Sequence, residues 1–327
     1  MTSIGPKPKY DIWRVLHGHT RSITVLRFSP DGRFLASGAM DSYVYIWSTK
    51  RGSVIQRITN YALGPVTDIV WAISPNKETV LIFALADGTV HFYRPVNNHF
   101  EGTSILCAHS WAIEGIDYDP VHHRLATSAG NEIKVWDLTS TWFSTIRHHS
   151  SNHEETCHRV QFIESGNAVA ATFMETSKLI TWTIEPWKRI SEQTLCANRT
   201  GTSRAGYSLI TRDGSYILID NVQNGVDAFS LPSAQHIATF HAPLSAHKPR
   251  HIAIDDTTSI VIHGSDKGIV YVHDFSTAAP IQTMTHSKER ELVQAVTTHS
   301  QGGRTWIASG GTCDHPVVMA WKQVFLL

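Results

Sequence analysis

No stretch of this chain of 327 residues approaches the roughly 18 consecutive apolar residues that a membrane-spanning helix requires. The first ten residues carry charges but no apolar core, so no secretory leader is written there. Net charge is absent too: 28 Lys and Arg balance 28 Asp and Glu. That balance argues against a nucleic-acid binder driven by neutralising phosphates. Cysteines are few and scattered (Cys107, Cys157, Cys196, Cys313), with no CxxC, which excludes a disulfide framework or a zinc ribbon. There is no GxGxxG after a strand, no P-loop and no HExxH. The expectation is a soluble protein of the cytoplasm or nucleus, monomeric, non-enzymatic and without a cofactor.

Helical periodicity is missing as well: no window keeps apolar residues at helical spacing for more than about two turns. Short alternating runs take its place. From Gly18 to Trp47 the chain reads Ile23, Val25, Leu26, Phe28, then the turn Ser29-Pro30-Asp31-Gly32, then Phe34-Leu35-Ala36. A polar turn at Asp41-Ser42 leads into Tyr43-Val44-Tyr45-Ile46-Trp47. Period-two alternation broken by Pro, Gly and Asp predicts three antiparallel strands. The closing aromatic recurs as Tyr93, Trp136, Trp182, Phe229, His273 (a histidine in its place) and Trp321, at intervals of 46, 43, 46, 47, 44 and 48 residues. A pair of short apolar runs precedes each mark. Such a period denotes a repeat architecture whose units stack on their neighbours.

The first unit resembles a WD repeat, one four-stranded blade of a β-propeller. The resemblance rests on His19, Ser37, Asp41 and Trp47, which stand where that family places a hydrogen-bonded chain of His, Ser or Thr, Asp and Trp. It implies an all-β, seven-bladed propeller with four antiparallel strands per blade. Residues 1–327 are read as a single propeller, with blades at about 20–60, 64–109, 110–150, 155–198, 203–242, 247–286 and 290–323. Only a short tail follows Trp321, so the segment 10–17 is expected to close the last blade, hiding two sheet edges. The third unit keeps His109, Thr127 and Trp136, with Asn131 or Glu132 near the Asp position. In the sixth, Lys267 falls near that position. Units four, five and seven retain little beyond spacing.

The same resemblance implies a protein or peptide partner on the rim made by the loops between blades. Candidate contacts there are Met40, Glu175, Arg204, Lys248, Asp266 and Asp314. A carbohydrate-binding propeller is the alternative, with Trp111, Trp142 and Trp187 as aromatic platforms. A third reading concerns the histidine-rich run between blades three and four. There His148, His149, His153, Cys157 and His158 offer zinc-type donors, although their spacing matches no closed site. Ubiquitin-ligase adaptors of the family carry Trp-Asp-x-Arg at the end of a repeat. Trp47-Ser48 and Trp136-Asp137-Leu138-Thr139 lack it.

Overall fold

The computed structural model describes residues 9–59, 64–74, 77–150, 153–173, 175–195, 206–287 and 291–324. Among these residues twenty-eight strands form seven four-stranded antiparallel sheets, and the one further element described is the 3₁₀ turn Glu164–Gly166. Among the described residues no helix is long and apolar enough to cross a membrane. Blade one is the meander Ile23–Phe28, Phe34–Ala39, Tyr43–Ser48 and Ser53–Thr59. The innermost strands of the next five blades are Val66–Ile73, Ile113–Asp119, Cys157–Ile163, Ser208–Ile210 and Ile252–Asp255.

Blade seven pairs Val293–Gln301, Arg304–Gly311 and Val317–Val324, from the inside outward, with the first strand of the chain, Lys9–His17, which lies outermost beside Val317–Val324. The pairing is antiparallel and runs from Lys9 opposite Val324 to His17 opposite Val317. The ring is thus closed by its own beginning, as the sequence leads one to expect.

Burial falls off outward within each blade. The third strand of blade one is largely buried, whereas the fourth, Ser53–Thr59, shows only Ile58 to the interior. The core lies between blades: Val25 and Ile46 of blade one pack with Trp71, Leu81 and Phe83 of blade two. The Trp71 indole also donates to the Arg27 carbonyl across that seam at 3.0 Å.

The recurring aromatic marks have a common backbone position. In blades one to six the register against the fourth strand slips at Trp47, Tyr93, Trp136, Trp182, Phe229 and His273. In blade seven the same slip lies between Ile12 and Arg14, with Ile12 facing Trp321. A bulge bends and twists a strand locally, so a large ring at each bulge fills the space that the bend opens. Glycine is required where sheets approach closely: a Cβ on Gly38 would lie within 2.4 Å of Val66 Cγ1 in the next blade.

Candidate functional site

The first set of singled-out residues forms a buried relay. The Trp47 indole N–H donates to Ser37 Oγ at 2.9 Å, and Ser37 Oγ lies 2.8 Å from His19 Nε2. His19 Nδ1 sits 3.1 Å from both Asp41 oxygens. A carboxylate accepts only, so Nδ1 carries the proton, Nε2 accepts from the serine, and the serine accepts from the indole. Burial pushes the Asp41 carboxyl up, but the His19 bond and the amides of Thr20 and Tyr43 outweigh it and hold it below the usual range. Blade three repeats the relay: Trp136 to Thr127 at 3.0 Å, Thr127 to His109 at 2.8 Å, and His109 Nδ1 to Glu132 at 3.1 Å. Of the two residues left open at the acidic position, the structure selects Glu132.

These groups tie the loops that carry His19 and His109 to the second and third strands of their blades and are engaged with one another, so they hold blades in shape. Trp47→Ala should cost about 3–5 kcal/mol as a buried aromatic truncation. A urea midpoint within error of the parent's would refute that.

Two features escape a reading by spacing. In blade seven, His286 Nδ1 lies 2.6 Å from Ser309 Oγ, although that blade retains little in its sequence beyond periodicity. The histidine stands 23 residues from its partner, against 18 in blades one and three. A longer loop disguises the pattern. In blade six Asp266, not Lys267, takes the acidic role, its carboxylate accepting the amides of Ser245 and Ala246. The amide of Thr20 is held by Asp41 in the same way at 2.8 Å. Asp266 is therefore tied to its own loop, half-buried, and less free to meet a partner than its place on the rim suggests.

The other rim candidates lie on the face made by the turns between second and third strands and by the blade-to-blade loops. Met40 is 45% exposed, and Glu175, Lys248 and Asp314 are exposed. Arg204 lies outside the described residues. On the same face stands Trp111, 67% exposed, its ring over Gly130, where a Cβ would come within 3.6 Å of the indole. Of the other proposed platforms, Trp142 is buried and Trp187 is stacked between His148 and Trp182. They present no free aromatic surface for a sugar.

The histidine-rich run is not one loop. His148 and His149 belong to the strand Ser144–Ser150, and Cys157 and His158 begin the strand Cys157–Ile163. Side chains that alternate along two strands of different sheets diverge. His148 stacks on Trp187, His149 faces Glu132 at 3.6 Å, His153 packs on Phe173 and Trp182, and His158 faces Glu114 at 3.5 Å. Cys157 is fully buried, and that burial pushes its thiol up to about 12, far from the thiolate a metal needs. Among the described residues no three His, Cys, Asp or Glu side chains converge on a point that would hold a metal ion.

A family model described as WD domain, G-beta repeat matches residues 11–48 and 101–137. Those segments are the ones that hold the two complete relays. Protein HIR1 of Yarrowia lipolytica is 28% identical over 155 residues, covering 39% of this chain and 14% of that protein. Pre-mRNA-splicing factor cwf17 of Schizosaccharomyces pombe is 27% identical over 129 residues, 38% of this chain and 36% of that protein. Protein hir1 of Aspergillus fumigatus is 23% identical over 280 residues, 78% of this chain but 25% of its own length. The matched part of each relative is well under half of its length.

Proposed function

We propose that this chain, which belongs to the WD-repeat propeller family, is an interaction scaffold that binds a protein or peptide on the rim of its blade-to-blade loops, and acts by binding, not catalysis. One observation carries the reading: Trp111 and Met40 stand exposed on that rim at 67% and 45%. Between them the rim residues are small or apolar, among them Pro65, Ala86 and Gly130. Large apolar side chains over small neighbours are the composition of an interface centre. Lys248, Glu175 and Asp314 supply a charged border further round the same face, which suits the steering of a partner. One relative bearing the name of a pre-mRNA-splicing factor agrees with work inside the cell, in the nucleus or cytoplasm.

Affinity capture with the parent chain and with Trp111→Ala and Met40→Glu tests this directly. Both side chains are solvent-facing, so folding should be unchanged to within about 0.5 kcal/mol. The proposal expects each variant to lose at least one partner retained by the parent. Identical partner sets for all three chains would overturn it.

A further inference from the structure

The innermost strands face a common axis, and the channel along that axis is barred. The Arg27 guanidinium of blade one donates to the hydroxyl of Tyr207 in blade five at 2.6 Å. It also reaches Asp68 of blade two at 3.4 Å. Asp68 is 1% exposed and accepts the amides of Ile69 and Ile116 and the Arg159 guanidinium of blade four. Arg159 lies over the Tyr207 ring at 5.1 Å, and that ring stacks on His251 at 4.3 Å.

Arg27, Arg159 and Tyr207 line a cavity of about 1160 Å³. Its rim includes Asp119–Val121, 163–166 and 211–214, the turns between the first and second strands of blades three to five. In an antiparallel meander those turns lie on the face opposite Met40 and Trp111. The cavity wall continues outward between blades four and five, past the apolar side chains Ile190, Leu209 and Leu231.

Charge is sorted by depth. At the floor, hydrogen-bond donors outnumber free acceptors. Asp68 is saturated, yet Arg159, 7% exposed, keeps an Nε–H with no acceptor. The Arg27 side chain remains 20% exposed. The Tyr207 oxygen accepts from Arg27, and no bond from its own proton is found among the described residues. The neighbouring Asp117 accepts the Phe162 amide at 2.7 Å. Burial, opposed by Arg159, pushes its carboxyl up to about 6. A second carboxylate arriving beside it would raise it further, so Asp117 would take a proton instead of repelling the newcomer. At the mouth the sign reverses: Glu164, Asp213 and Asp256 are exposed against Arg212.

We propose that this cavity is a second binding site, for an extended peptide that directs one acidic side chain down to Arg27, Arg159 and Tyr207 and sets basic residues on Glu164, Asp213 and Asp256. Its volume exceeds the ~300–1,000 Å³ typical of small-molecule pockets, which favours a chain segment as occupant. The unpaired donors choose a carboxylate at depth, and the acidic mouth chooses cations beside it.

Fluorescence anisotropy with the whole chain and three short labelled peptides tests the site. The first has a central Glu with Lys flanks, the second a central Gln with Lys flanks, and the third a central Glu with Gln flanks. The first should bind best, and the Gln-centred peptide about tenfold more weakly, as loss of a charge-assisted hydrogen bond implies. Tyr207→Phe keeps the ring on His251 and should weaken the Glu-centred peptide about tenfold and the Gln-centred one by less, since a neutral amide oxygen accepts the weaker bond. Asp213→Asn combined with Asp256→Asn alters only exposed positions, so it reports even if Tyr207→Phe fails to fold. It should weaken the Lys-flanked peptides and spare the Gln-flanked one. Equal affinity for all three peptides, or no saturable binding of any, would overturn the site. Neither result bears on Trp111 and Met40, which lie on the other face.

Discussion

Lowering the pH from 7 to 5 should strip this propeller of several kcal/mol of stability, before any carboxylate but Asp117 is expected to take up a proton. Five imidazoles are chiefly responsible. Burial holds His251 and His263 down to about 3 and His109, His273 and His286 to about 4. In the unfolded chain an imidazole titrates near 6.5. As the pH falls through that value, the unfolded state gains protons that the folded state refuses until pH 3 to 4, so the equilibrium moves toward unfolding. Each site contributes on the order of 1–2 kcal/mol over the interval. Asp117 works in the opposite sense. With its carboxyl raised to about 6, the folded chain gains a proton first, which returns on the order of 1 kcal/mol. Asp41 and Asp68, held low, add their losses only as the pH drops below the unfolded carboxylate range near 4. Urea melts at pH 7, 6 and 5 should show midpoints falling at each step. His273→Phe places at that position the residue type that blade five carries as Phe229, and should flatten the decline. Equal midpoints at pH 7 and 5 would contradict the assignment of these histidines as neutral.

The ring itself was legible because its signal is local and repeated. Alternation within each run, a turn after it and an aromatic at the third-strand bulge recur seven times, and the bulge gives the aromatic its physical reason. The relay in blade one was legible for a related reason, since His19, Ser37, Asp41 and Trp47 fall within one blade at a regular offset. What failed to show depends on loop length or on distance. His286 and Ser309 form the same kind of contact as His19 and Ser37, but five extra residues hide the correspondence. Asp266 and Lys267 are adjacent in sequence, and only the hydrogen bonds from Ser245 and Ala246 show which of them holds the loop. The histidine-rich run looks like a ligand cluster when read as a string, yet it begins on one strand and ends on another. The bar across the channel is the extreme case. Arg27 and Tyr207 are 180 residues apart, and closure of the ring is what brings their strands to a common axis.

Closure is also where the largest mechanical effect should appear. Lys9–His17 contributes eight paired positions to Val317–Val324, and Tyr10 and Leu16 are buried. Tyr10 exchanges two further bonds of 2.8 Å with Gln282 in blade six. Without that strand, blade seven would present an open edge and its contacts with blade six would be left half made. Units that depend on their neighbours then unfold piecemeal.

The deciding comparison is hydrogen exchange on the whole chain and on one lacking residues 1–16. The account predicts that the parent's innermost strands exchange together in a single global opening. In the truncated chain, protection should collapse first in Val293–Gln301 and Arg304–Gly311 and then in Ile260–Gly264, with the unfolding transition broadened. A truncated chain that keeps parental protection in blade seven and one sharp transition would contradict a ring fastened by its own first strand.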